Sequence, residues 1–160
     1  MDAAAIAKAL DIGRLCQIGF VVRNVAESMK NYEETMGVGP FMQVEFRPEK
    51  SFVKGRPGAI HLKIGIAQLT PDLSLELIEV VGGEPYHKDF LEQHGEGVQH
   101  LGYLSEDYDG VLARAEALGI PLLMSAETEV PGMGQVRGAY FDTLDRLGTL
   151  VEVIEIKPFA

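Results

Sequence analysis

The chain has 160 residues, 46% of them hydrophobic, with 24 acidic against 14 basic side chains and a formal net charge of −10. That size suits one domain with an adequate core, and the charge argues against nucleic acid or an anionic membrane surface as a partner. No apolar run reaches the roughly 18 residues of a membrane span, and the single Cys16 cannot close an internal disulfide.

Residues 1–13 combine Asp2, one cation (Lys8) and an alanine-rich stretch, which predicts a short helical extension and not a secretion signal. With the lone thiol, this makes the expected location cytoplasmic. Residues 15–22 are branched and apolar, as in a buried strand. Asn24 then stands where an N-cap belongs, Val25, Met29, Tyr32 and Met36 recur at helical spacing, and Gly37 ends the helix. Strands are predicted over 41–47, 60–69 and 74–81, with 48–58 a long polar loop. That loop and its flanks hold a local group of cations, Arg47, Lys50, Lys54, Arg56 and Lys63, read as solvated surface charge.

After a connector over 83–97 the order returns. A strand over 98–104 precedes a helix capped by Asp107, and strands over 121–125, 135–142 and 149–156 follow. The repetition extends to single residues. Gln17-Ile-Gly19 is echoed by His100-Leu-Gly102, and Glu76-Leu-Ile-Glu79 by Glu152-Val-Ile-Glu155. A duplicated unit of this period cannot cover its own strands, so the two copies should pack together. Each copy therefore supplies a metal-capable side chain at the same two places: Gln17, Glu76, His100 and Glu152. Side chains alternate along a strand, so one Glu of each closing strand should face the interior and the other solvent.

The motifs Gln17-Ile-Gly, Tyr32 with Met36-Gly37, Glu76-Leu-Ile-Glu, His100-Leu-Gly-Tyr, Ala139-Tyr-Phe-Asp-Thr and Leu147-Gly-Thr-Leu-Val-Glu152 resemble the vicinal oxygen chelate superfamily. That superfamily includes glyoxalase I, methylmalonyl-CoA epimerase, extradiol dioxygenases and bleomycin-resistance proteins. The resemblance implies an α+β fold of tandem βαβββ modules, whose eight strands curve into a partly open barrel around a metal cleft. Residues 14–160 would form the single domain, with module one over 14–82 and module two over 98–157.

It further implies that Gln17, Glu76, His100 and Glu152 ligate one divalent ion. Three oxygens and one imidazole suit Zn, Ni, Co, Mn or Mg better than a soft metal. The implied activity is that of a lyase or isomerase of glyoxalase I or epimerase type. Such an enzyme would act on an oxo compound or thioester through an enediolate, with Glu152 or Glu76 as the base. The alternative is a metal-free binding protein like the bleomycin sequesterers. A homodimer is also implied. Glu45 and His61 could add acid–base groups at the cleft mouth, with ordinary surface positions the expected reading, and Tyr103, Tyr140 and Met133 either line the cleft or pack in the core. His87 and His94, in the connector, are expected to do no chemistry.

Overall fold

Two antiparallel neighbours at the centre of one sheet, β1 (Arg14–Val21) and β7 (Gly97–Leu104), organise the molecule. The computed structural model describes residues 9–159. Each central strand is followed by a helix, and the closing strand of its own module returns parallel to it. β6 (Leu73–Gly83) lies beside β1, and β10 (Leu150–Lys157) beside β7. The remaining module strands, β2 (Met42–Phe46), β5 (Ile60–Thr70), β8 (Leu122–Val130) and β9 (Gly134–Phe141), extend the sheet outward. With two further short strands, β3 (Lys50–Val53) and β4 (Arg56–Pro57), the strand order is β2-β5-β6-β1-β7-β10-β9-β8-β3-β4, so the modules stand side by side about a pseudo-twofold axis.

The expected eight strands are present, and two more come from the segment read as a polar loop. β3 and β4 form a small hairpin, and β3 adds to the free edge of β8, with Ser51 opposite Ala126. β2 sits at the opposite edge of the sheet. Residues 47–49 therefore cross from one edge to the other and strap the open side of the curved sheet. β8 also runs to Val130, five residues past its expected end, because residues 126–130 pair along β9.

Helix ends follow the sequence. Asn24 caps α1 (Val25–Met36) by accepting from the Glu27 N–H at 3.0 Å. Gly37, at φ 65°, closes it in the left-handed region, where a side chain would be strained. The Asp107 carboxylate caps α3 (Tyr108–Ala117) through the Gly110 N–H. α1 covers the convex side of module one through Val22, Val25, Leu75 and Leu77. α3 covers module two through Tyr108, Val111 and Ala115, packed against Ala139, Val151 and Val153. Leu10 joins that second cluster, and its carbonyl accepts from Arg114 Nε at 2.8 Å. Residues 1–8 of the expected N-terminal helix lie outside the described residues. Between the modules, α2 (Tyr86–His94) packs on β1, β6 and β7. A short α4 (Leu144–Leu147) precedes β10. Among the described residues no helix is long and apolar enough to cross a membrane.

The closing glutamates divide between the two faces as strand alternation requires, but the outer ones do not face solvent as expected: Glu155 is buried and Glu79 half-buried, because the partners packed on that face cover them. Glu76 and Glu152 face the concave side. On the convex side, Glu79 accepts from the Val25 N–H at the start of α1, and Glu155 accepts from Arg137 Nε at 2.7 Å.

Candidate metal centre

Register builds the centre. Gly19 pairs with His100 on one side and Glu76 on the other, while Gly102 pairs with Gln17 and Glu152. Directly opposed residues on paired strands hold their side chains within contact distance. A glycine between two of them leaves its own place over the sheet free. A Cβ on Gly19 would overlap the His100 imidazole, and one on Gly102 would lie 2.9 Å from Gln17 Cβ. Gly138 on β9 gives similar room, since its Cβ would stand 2.9 Å from a Glu152 oxygen. Three glycines thus make the space into which four polar side chains lean.

The donor atoms converge. Glu76, His100 and Glu152 each present one ligand atom within 4.8 Å of the others, and all three residues are buried. His100 Nε2 stands 3.3 Å from an oxygen of Glu76 and 3.3 Å from one of Glu152. Two donors each about 2.1 Å from a common tetrahedral ion would lie about 3.4 Å apart, so this spacing fits a shared cation. Six buried side-chain polar atoms among the described residues have no hydrogen-bond partner. Four of them are Gln17 Oε1, Glu76 Oε2, His100 Nε2 and Glu152 Oε2. Leaving one such atom unsatisfied costs about 1–3 kcal/mol, and four from the same candidate set are an arrangement for something that binds there. The donor set and its unmet valences fit a divalent ion.

Two β-bulges prepare these strands. Val98 pairs with Phe20 and His100 with Gly19, which leaves Gln99 as an extra residue in β7. Leu15 and Gln17 pair with Tyr103 and Gly102, which leaves Cys16 extra in β1. A bulge re-aims its neighbours, so Gln99 breaks the alternation expected of β7 and turns inward beside His100. Its amide oxygen lies 3.1 Å from His100 Nδ1 and 2.7 Å from His87 Nδ1. Accepting from both rings, it fixes a proton on each Nδ1 and turns the His100 Nε2 toward Glu76 and Glu152. A flipped amide would place the proton on the wrong nitrogen of His100 for metal binding.

Electrostatics are those of a buried site. Burial opposes charge on His100, but its close ion pairing with Glu152 and Glu76 prevails and pushes it up to about 9. Burial raises Glu152 above the usual carboxylate range, with His100 pulling the other way. His87 is lowered to about 3 by burial and by the His100 charge, so it stays neutral. Burial and the nearby glutamates hold the Tyr140 hydroxyl well above 10, protonated. Its ring packs edge-on against both imidazoles, with centroids 5.0 Å from His100 and 5.2 Å from His87. Cys16 is pushed up to about 11 by burial and Glu152, so it offers no thiolate.

The four sequence candidates therefore come together, and others do not. Glu45 and His61 pair with each other at 2.6 Å, away from the cleft-facing row formed by Val44 and Phe46 on β2 and Ile60 and Leu62 on β5. Tyr103 packs in the α3 cluster, whereas Tyr140 and Met133 line the cleft. His94 is exposed, but His87, expected to do no chemistry, is buried and lines the cleft. Gln99 was a second omission. Its only sequence signal was a polar residue next to His100 in an apolar strand.

A family profile described as the glyoxalase/bleomycin resistance protein/dioxygenase superfamily matches residues 16–140. No curated protein matches the sequence. Among solved structures, the fold is similar to a hypothetical protein from Bacillus halodurans, with TM-score 0.66 and 19% identity over 92% of this chain and 96% of that one. It is similar to methylmalonyl-CoA epimerase from Mycobacterium tuberculosis, with TM-score 0.63 and 17% identity over 91% and 89%. A variant of the Streptomyces coelicolor methylmalonyl-CoA epimerase, in complex with 2-nitronate-propionyl-CoA, gives TM-score 0.61 and 21% identity over 90% and 97%. At such identities the likeness concerns the fold alone.

Proposed function

The chain belongs to the glyoxalase/bleomycin resistance protein/dioxygenase superfamily, the vicinal oxygen chelates, and on that premise we propose that it is a metal-dependent lyase or isomerase that removes a proton next to a carbonyl. The observation that carries this reading is the convergence of buried, partnerless donor atoms at the centre of the cleft. Gln17, Glu76, His100 and Glu152 would hold the ion. When bound, a divalent ion supplies Lewis acidity toward a carbonyl oxygen, which acidifies the neighbouring C–H.

The chain's own residues would do the rest. Glu152, whose basicity is raised by burial, takes the proton, and Glu76 returns one to the carbon. Tyr140 keeps its hydroxyl protonated beside Glu152 and is available as a hydrogen-bond donor. The apolar walls of the cleft keep water from competing for the carbanion. Metal-free sequestration of a small molecule is the competing reading. It leaves Gln17 Oε1 without a partner and sets a single imidazole, 3.3 Å from each, against two buried carboxylates.

Metal titration by calorimetry tests the proposal. One equivalent of zinc, nickel or cobalt should bind chelator-stripped protein and release about one proton at neutral pH, because His100 must give up the proton it holds up to about 9. Affinity should rise with pH until that value is passed. In the metal-free protein the sign is fixed by the raised value: the His100 contribution to stability is complete below the unfolded value near 6.5 and lost as pH rises through about 9. Uptake below a tenth of an equivalent would defeat the reading.

Gln99→Leu isolates the orienting amide. It removes the acceptor shared by His87 and His100 without touching a ligand, and metal affinity should fall about 10- to 100-fold. Retained affinity would show that the tautomer is set elsewhere.

A further inference from the structure

Around the donor cluster the cleft is a cavity of about 440 Å³ with a marked polarity gradient. Its polar lining at the centre comprises Gln17, Glu76, Glu152, His87 and Tyr140. Most of the remaining wall is apolar, from residues such as Val44, Phe46, Ile64, Met124, Met133 and Ile154, with Cys16, Gln68 and Ser74 as polar exceptions on one side. Charges are few. Arg14 is the single cation among the lining residues, and it is engaged by Asp72, itself in the lining, at 3.1 Å. The carboxylates left over are Glu76 and Glu152, whose two charges a divalent ion would neutralise. A cleft that is neutral when loaded and mostly apolar away from its centre offers little compensation for a buried carboxylate or phosphate, whose desolvation is costly. Outside the cleft, Arg47 on the strap and Lys54 in the β3–β4 turn are paired with Glu45 and Asp89, and Lys50, Arg56 and Lys63 are exposed to solvent and absent from the cleft lining.

We infer that the substrate is an uncharged molecule with an apolar, largely aliphatic body and one oxo function, inserted with its oxygen toward the donor cluster and its body against the sheet. This inference rests on the proton-transfer reading above for the role of the oxygen, and on the wall chemistry alone for the body. It separates the chain from substrates whose bulk is anionic, such as nucleotide-bearing thioesters or glutathione conjugates. A cavity of this volume lies toward the small end of ligand sites and could not take in a whole nucleotide-bearing thioester.

The test uses calorimetric binding to wild-type protein, both zinc-loaded and chelator-stripped. The probes are methyl butyl, methyl hexyl and methyl octyl ketone, with propionyl-CoA and S-lactoylglutathione as charged competitors. Each two-carbon step should raise affinity about tenfold, since each buried methylene contributes independently. The dependence on length should persist in stripped protein, because the wall causes it. Zinc should tighten all three ketones by a common factor, because the oxygen end is the same in each. A series flat within twofold, or tighter binding of either charged thioester than of methyl octyl ketone, would overturn the inference.

Failure of the two readings is distinguishable. Stoichiometric zinc with a flat series removes the substrate class alone, whereas a steep series without zinc uptake removes the metal reading and leaves the apolar site. Val44→Asp gives an independent measure. Val44 faces the cleft from the edge strand β2 and is half-buried, so folding should tolerate the charge while methyl octyl ketone affinity drops at least about tenfold. Met133→Asp, at the β8–β9 turn, reports the same loss should the first variant fold poorly. Unchanged affinity in a folded variant would count against the inference.

Discussion

Glu152→Gln should lower turnover about 10³-fold while leaving the protein folded, the loss expected when a positioned proton acceptor is removed. The side chain keeps its size and an oxygen that can still reach the ion, so the variant separates proton transfer from assembly of the centre. Metal affinity should fall much less than turnover, as measured by competition with a chelator. Solvent deuterium exchange into an oxo substrate at the carbon next to the carbonyl gives the direct readout. Glu76→Gln should retain more exchange if Glu152 takes the first proton. Equal losses in both variants would show that the two glutamates act interchangeably, as the pseudo-twofold arrangement permits. Full activity in Glu152→Gln would end the proposed role of that carboxylate.

Gly19→Ala should abolish metal uptake by a route that involves no donor atom. The added Cβ would occupy the place of the His100 imidazole, and that ring is fully buried with Gln99 and Tyr140 against it. Overpacking of this kind costs about 1–3 kcal/mol, so the thermal midpoint should drop by several degrees. Metal affinity should fall at least about 100-fold, because His100 would leave the point where Gln17, Glu76 and Glu152 meet. Gly37→Ala is the control. Nothing lies within 4 Å of a Cβ there, so it should strain the end of α1 and leave metal binding intact. If Gly19→Ala binds metal as tightly as the wild type, the geometry of the centre has been misread.

These variants also show what the sequence could and could not convey. The duplicated Gly19 and Gly102, and the matched Glu76 and Glu152, were legible because strand pairing converts a repeat in sequence into a row across a sheet. The inward and outward glutamates of each closing strand followed from simple alternation. Gln99 was hidden because a bulge is a fault in pairing between two strands and leaves no period in either. His87 was hidden because the direction in which α2 turns its faces depends on packing between the modules. β3 was hidden for a related reason. Lys50-Ser-Phe-Val53 has modest strand character, and its pairing partner lies more than 70 residues away on β8. Eight strands came from local pattern, and the last two from an edge that required cover.

That borrowed hairpin changes how the duplication can be divided. Module one does not end at its own border, since β3 and β4 are woven onto its sibling. A cut in the 83–97 connector would yield a first fragment with a displaced hairpin and a second with a naked β8 margin. Each half would expose the surface the other evolved to shelter, so the pair should reassociate when mixed and prove insoluble or unfolded when expressed alone.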